Sequence, residues 1–452
     1  MSEGTQYTLY SNRDLFNLIG PLIMERALFL TVGVADGMMV AYLGEASVSA
    51  VSMVNLLNVF LHNIFLAISV GGVVTASQCL GAKDRKQACR IANHTVMVEV
   101  VIASVIAALV LVFKRPLLTL IYGHLAPDTM EKCVTYLTIT AFANPFLALA
   151  SACNSMFRTQ NLSRITLVNA IQNNVLNIIG NSLFIFVFKL DVAGAAYATL
   201  GARVITSFLT FHKLTSPTYE ICLDLRAKLE FSFAIVRKIL YIGIPTSIED
   251  SMFTLGRVLT ASLVARYGTR ETAAFAIANH IDQLSLLVGS GMNASIAPVI
   301  GRCVGAGIVE QMKYYLKKMM KIAYIGHAIN AMLVLALSPL LMKLYSKMTP
   351  ETMHIVGILM LIHIGFGVFL WPSSFTFPGA LRALNDVRYT MFVSLCSMFL
   401  IRLGLSYAFA PIVHSGVLAV WIAMVCDWVV RIVFFYGRFF SGGWRHYAKM
   451  KY

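Results

Sequence analysis

Ionisable side chains are rare inside the long apolar runs of this chain, so each one there needs a reason. Asp36 sits in "GVADGMM". A charge at the centre of a membrane helix costs about 2.5–3.5 kcal/mol on insertion scales. A carboxylate in that setting is a group for which a proton and Na⁺ compete; the other reading is a carboxylate near the outer interface, satisfied by water. Asn177 and Asn181, in "NNVLNIIGNSLFIF", are four apart and share one helix face. They serve either a polar site or the hydrogen bonding that glues membrane helices together. Glu249, Asp250 and Asp282 are further intramembrane carboxylates, candidate cation-facing groups of a substrate cavity, with Arg26 and Arg257 as candidate partners. Asp427 and Arg431, again four apart, read as a structural pair in which each neutralises the other.

The elements that hold these groups must be membrane helices. Of 452 residues 58% are hydrophobic and only 13% charged, about half the charge of a soluble domain. Too few charges remain to cover a water-facing surface of this size. Stretches of about 20 mainly apolar residues mark spans. Twelve are expected, near 15–41, 48–76, 91–113, 133–157, 163–188, 193–211, 239–266, 273–300, 316–342, 353–380, 388–411 and 416–440. Pro145, Pro372 and Pro378 are expected to interrupt the fourth and tenth. The net charge of +15 does not indicate nucleic acid, because Lys and Arg lie in short loops between apolar runs. On one side stand 23 of them, including Arg13, Arg85, Arg158, Arg226, Lys228, Arg302, Arg382, Lys449 and Lys451; the opposite loops hold 8, including Arg115, Lys132, Arg270 and Lys347. Both termini are therefore expected in the cytoplasm, in the cytoplasmic membrane. No cleavable signal is read at the start, and the eight scattered Cys suggest neither a disulfide framework nor a zinc site.

The chain repeats itself. Pro21, Glu25, Gly44, Asn55, Cys79, Arg158, Asn161 and Arg164 recur as Pro245, Glu249, Gly268, Asn279, Cys303, Arg382, Asn385 and Arg388, always at the one offset that carries position 21 to position 245. The expected organisation is an N-terminal six-helix lobe (1–211), a cytoplasmic linker (212–238) with Glu230 among many cations, and a C-terminal six-helix lobe (239–452). An even number of spans per repeat makes the halves parallel, related by a pseudo-two-fold along the membrane normal, an architecture of secondary transporters. Glu249 matches Glu25 across the repeat, which suggests a shared structural role. No Gly-Lys-Ser or Gly-Lys-Thr exists to cradle ATP phosphates, and no hydrolase signature appears. The chain is read as no enzyme, with no cofactor and no metal, driven by an ion gradient or by substrate flow.

Four segments, "LIGPLIMERALFLTVGVADGMMVAYLGEASVSAVS", "GGVVTASQCLGAKDRKQAC", "IGIPTSIEDSMFTLGRVL" and "FPGALRALNDVRYTM", resemble the multidrug and toxic compound extrusion (MATE) family. The resemblance runs nearly end to end. It implies a V of two six-helix lobes, small organic cations as cargo, a monomer, and export coupled to H⁺ or Na⁺. It also implies a cation site around Asp36, completed by Asn177, position 181 and Thr199. The family carries Asp where this chain has Asn181, a departure that removes one negative charge. With one carboxylate left, the reading leans to H⁺ over Na⁺. A flippase for a lipid-linked precursor, on a related two-lobed fold, is the alternative, for which Arg26, Arg203, Arg257 and Arg402 would line an anionic path. A non-transporting scaffold would need no buried carboxylates.

Overall fold

The structure, a computed structural model, describes residues 9–123, 125–224, 231–343, 345 and 348–448. Arg226, Lys228, Glu230, Lys347, Lys449 and Lys451, used in the charge reading, lie outside the described residues, as do parts of the linker and both chain ends.

Among the described residues the chain is all helix and turn. The first half holds α1 (Asn12–Ala41), α2 (Glu45–Gly81), α3 (Arg85–Tyr122), α4 (Pro127–Thr159), α5 (Ser163–Asn181) and α6 (Asp191–Leu214). The second half holds α7 (Phe233–Ala265), α8 (Thr269–Ser285), α9 (Leu287–Gly305), α10 (Val309–Lys343), α11 (Pro350–Trp371), α12 (Phe377–Ala383), α13 (Val387–Cys396), α14 (Gly404–Val413), α15 (Gly416–Phe440) and α16 (Arg445–Ala448). Three π-helical segments, Ser182–Val187, Pro372–Thr376 and Ser397–Leu403, continue α5, join α11 to α12 and join α13 to α14.

Among the described residues ten of these columns are long and apolar enough to cross a membrane, and α8 with α9, bent by 51° at their junction, makes an eleventh. The twelfth column is α7, long enough at 33 residues but laden with Glu249, Asp250 and Arg257. The expected unbroken span 273–300 is thus two helices meeting at Leu286. The amide of Asn330 on α10 donates to the freed carbonyls of Leu284 (2.9 Å) and Ser285 (2.7 Å), which is how a break survives where water is absent. Pro145 does not interrupt its span. It lies inside continuous α4. Pro372 does open a π-helical turn, and Pro378 falls at the start of α12, where a missing N–H costs least. A kink not anticipated from sequence sits at Phe113 (φ −103°, ψ 16°), just before Pro116.

The repeat is visible in the backbone. Gly44 and Gly268 adopt φ +95° and +102° at the N-caps of α2 and α8. Asn161 and Asn385 both take φ +65°, and Lys83 (+61°) corresponds to Gly307 (+72°). Asn is the non-glycine residue that tolerates this left-handed region best.

Packing divides the chain into two units, one spanning Tyr10–Ser247 and the other running from Ile248. The division falls inside α7, since its first turns pack in the first unit. A Cβ on Gly71 would lie 2.2 Å from the carbonyl oxygen of Ile239, and one on Gly243 would lie 3.0 Å from the Cα of Ile68. Glycine is what lets α2 and α7 approach so closely. The first unit has one core around Phe65, Leu118 and Leu137 and another around Ile91, Phe157 and Ile239. In the second unit, Trp421, Trp428 and Leu263 form one core and Ile277, Val356 and Met360 another.

Gly71→Ala is expected to destabilise the protein in detergent by about 1–3 kcal/mol through overpacking. Gly37→Ala, where nothing lies within 4 Å, should lose nothing. Thermal unfolding of both variants checks the contrast; an unshifted Gly71→Ala would contradict it.

Candidate functional site

The polar site of the first unit is assembled by three helices. Asp36 comes from the last turns of α1, Asn177 and Asn181 from the end of α5, and Thr199 from the first half of α6. The approach of α5 to α6 is set by Gly180, where a Cβ would lie 2.9 Å from that of Ala198. With the helices that close, Asn177 Nδ2 reaches Thr199 Oγ1 at 3.2 Å. Asn181 donates to Asp36 Oδ1 at 3.0 Å and to Asn177 Oδ1 at 3.1 Å. With the Asn177 amide turned over, its nitrogen faces Asp36 at 2.8 Å and its oxygen accepts from Thr199 at 3.2 Å. Both Asn are buried. The four residues singled out from the sequence therefore form one cluster. The α5 ladder changes directly after Asn181 into a π-helical turn, a local irregularity often found beside functional groups.

Tyr136 on α4 extends the cluster and was not anticipated. It is buried, and its hydroxyl donates to Asn55 Oδ1 at 3.3 Å. The one signal in the sequence was Asn55 itself, a member of the repeated set.

In the second unit the three expected carboxylates fall into two clusters. Glu249 accepts from Arg382 Nη1 (3.2 Å) and from Ser394 Oγ (2.7 Å), with side chains of Glu249 and Arg382 each 10% exposed. Asp250 is half-buried beside this pair, in the field of both charges. The first unit repeats the arrangement: Glu25 accepts from Arg158 Nη2 (2.6 Å) and from Thr166 (2.9 Å). For Glu249 the sequence had suggested Arg26 or Arg257; the partners of these glutamates are Arg158 and Arg382. Both arginines belonged to the repeated set, which was the available signal.

Asp282, in the last turn of α8, lies instead against His363 of α11, Oδ1 to Nε2 at 2.6 Å. Asp427 and Arg431 do pair, at 3.0 Å; Ser397 donates to the carboxylate, and the guanidinium stands over Phe253 (5.3 Å) and Phe375 (5.1 Å). Among the described residues no cluster of three or more His, Cys, Asp or Glu could hold a metal ion.

Helical columns of this length, two lobes and polar clusters inside them define a membrane transporter. Comparison with known proteins names the family. The MatE family model matches residues 21–183 and again 245–408, so the two matches begin at the paired prolines Pro21 and Pro245. The chain belongs to the MatE family. It is 26% identical to YisQ, an uncharacterised transporter of Bacillus subtilis, over 95% of this chain and 94% of that one. It is 24% identical to NorM of Thermotoga maritima, a probable multidrug resistance protein, over 96% and 94%. Its fold matches a solved MATE transporter in an outward-facing conformation with a TM-score of 0.87, at 20% identity and 96% coverage of both chains.

The repeated glutamate–arginine pairs are expected to hold the scaffold. Breaking a buried pair from one side leaves an uncompensated charge and costs about 3–5 kcal/mol. Arg382→Ala should therefore lower the melting temperature strongly, and Glu249→Gln in that background should restore part of the loss. Additive losses in this double-mutant cycle would show the pair to be uncoupled.

Proposed function

We propose that this transporter exports organic cations by alternating access across the cytoplasmic membrane, driven by H⁺ entry through Asp36, with both termini on the cytoplasmic side. The observation that carries the reading is the Asp36 cluster, one carboxylate among neutral amides and a hydroxyl. A proton neutralises Asp36 outright, and the neutral acid can then donate to an amide oxygen. Na⁺ would need several oxygens at once. Here the Asn181 amide nitrogen, a donor, faces the carboxylate, and position 181 supplies no second charge. Protonation can bias two arrangements of the lobe only by interacting differently with each. The rearrangement of the Asn181 and Asn177 hydrogen bonds, sitting beside a π-helical turn, supplies such a difference.

The relatives include a probable multidrug resistance protein, which supports a drug-like cargo. Cations suit the carboxylates of the second lobe, since a low-dielectric wall strengthens each charge. One observation favours a second reading, an anionic cargo such as the pyrophosphate of a lipid-linked precursor. In the first unit Arg203 Nη1 is buried and has no hydrogen-bond partner among the described residues.

Efflux from membrane vesicles under imposed pH or Na⁺ gradients tests the proposal. Asp36→Asn should abolish pH-driven efflux of a cationic dye while leaving the protein folded. Undiminished efflux in that variant would remove Asp36 from the mechanism, and strict dependence on Na⁺ at fixed pH would reverse the ion. Competition of dye efflux by a phosphate-bearing lipid, but not by other organic cations, would favour the anionic cargo.

A further inference from the structure

The chain that follows α6 is not a loose tether. Residues 217–224 are held against the first unit by side chains from α3 and the end of α4. Arg85, the first residue of α3, donates to the carbonyls of Pro217 (2.8 Å), Tyr219 (2.8 Å) and Glu220 (3.1 Å). Gln160, just past α4, holds Ile221 from both sides. Its Nε2 donates to the Ile221 carbonyl and its Oε1 accepts from the Ile221 amide, each at 2.9 Å. Ile221 and Leu223 are buried in the core that contains Ile91, Phe157 and Ile239.

This docking brings two cysteines together. Cys89 lies one turn into α3, and Cys222 lies between the two buried apolar residues of the docked segment. Their sulfurs are 3.8 Å apart. The backbone N–H of Cys222 donates to Cys89 Sγ at 3.3 Å, and Cys89 Sγ donates to the carbonyl of Glu220 at 3.8 Å. Cys133, Cys153 and Cys303 are buried, where cysteine behaves as a small apolar side chain. Cys89 and Cys222 are only half-buried, within reach of a small reagent. The repeat does not contain the pair. Cys79 recurs as Cys303, but the counterparts of Cys89 and Cys222 are Lys313 and His446. The two thiols are an addition to the first half and not part of the common frame.

We propose that Cys89 and Cys222 are an oxidation site, a dithiol that closes reversibly into a disulfide and fastens the docked segment to α3. A disulfide is about 2.05 Å long, and side-chain rotation can close the remaining gap. The oxidant is a low-molecular-weight disulfide, of which oxidised glutathione is the common case. One cysteine thiolate attacks a sulfur of that disulfide. Its S–S bond breaks, and one glutathione thiolate leaves with the bonding pair. The second cysteine thiolate then attacks the protein sulfur of the mixed disulfide and expels the other glutathione thiolate. The two protons lost by the cysteines end on the two glutathione thiols. The protein is oxidised by two electrons and the glutathione disulfide is reduced by two. With this end in the cytoplasm, as proposed above, the resting form is the dithiol, because the thiol pool there is kept reduced.

The consequence is mechanical. In the dithiol form the segment is held by an exposed arginine, one glutamine and two apolar side chains, and it can open and reclose. The disulfide joins positions 133 residues apart in the chain and removes freedom chiefly from the open form. The segment leads into α7, whose first turns share its core through Ile235, Val236 and Ile239. Oxidation therefore stiffens the run of chain that joins the two halves.

Peptide mapping of the solubilised full-length protein tests this. In detergent both faces are reachable, so the result depends neither on orientation nor on the role of Asp36. Oxidised glutathione at about pH 8.5, the ordinary thiol pKa, should remove two titratable thiols. Digestion without reductant should then release the Cys89 and Cys222 peptides joined, lighter by two hydrogens than their sum. Dithiothreitol should restore both thiols. Hydrogen exchange at the amides of Ile221, Cys222 and Leu223 should slow on oxidation and recover on reduction. In Cys89→Ser or Cys222→Ser the surviving cysteine should keep glutathione as a stable adduct. Arg85→Ala loosens the segment without touching either sulfur, so ring closure should slow and the mixed disulfide should accumulate. Free thiols or stable glutathione adducts at both positions of the folded parent protein would overturn the proposal. So would a disulfide to some other cysteine, or amide exchange that oxidation leaves unchanged.

Discussion

A bilayer core offers no water, so every polar group within it must find its partner in the protein. That constraint orders most of what is seen here. Hydroxyls turn back on their own helix, as Thr31 does to the carbonyl of Ala27 (3.0 Å), Thr75 to Gly71 (2.8 Å) and Ser406 to Arg402 (2.6 Å). Charges pair, as in Glu25–Arg158, Glu249–Arg382 and Asp427–Arg431. Where α8 ends short of a full span, Asn330 takes its open carbonyls. Asp36, Glu99, Asp250 and Asp282 are the carboxylates inside the helical columns with no Lys or Arg ion pair among the described residues, and they are the ones that need another explanation.

Duplication makes the contrast sharper. The glutamate–arginine pairs recur in both halves at the same positions, so they belong to the common scaffold. The uncompensated carboxylates do not recur. The repeat partner of Asp36 is Thr260, and that of Asp282 is Asn58, a buried amide. Glu99, wholly buried and bonded by Ser69 at 2.6 Å, corresponds to Ala323. The two lobes share a frame and differ in where they keep an ionisable group. That is the pattern expected when one fold must respond to ions at distinct places, since structure is common and chemistry is local.

Much of the frame was legible in the sequence because its signals are long-range and redundant. Membrane-length apolar runs and a repeat at constant offset survive any local ambiguity. The Asp36 cluster was legible only in part: a shared face puts Asn177 beside Asn181, but the contact to Asp36 needed the family resemblance. The break at Leu286 was missed because no proline marks it, the glycines Gly289 and Gly291 fall only after it, and the apolar run continues across it. Pro145 misled in the opposite direction, since a proline in a membrane helix can be absorbed by neighbours. The His363–Asp282 contact joins residues far apart in the chain, on helices whose rotation about their axes no sequence pattern fixes. Arg158 and Arg382 stand out in the sequence as repeated loop cations, whereas Arg26 and Arg257 were offered as partners because they lie within the same apolar runs as the carboxylates.

The central claim is that Asp36 exchanges a proton for cargo. Infrared difference spectroscopy of the protein in lipid reads this directly. Addition of a transported cation at constant pH should remove a protonated-carboxyl stretching band, with matching proton release into the medium, and that band should be missing in Asp36→Asn. A cargo-induced spectrum without any carboxyl change, or one identical in Asp36→Asn, would contradict the account.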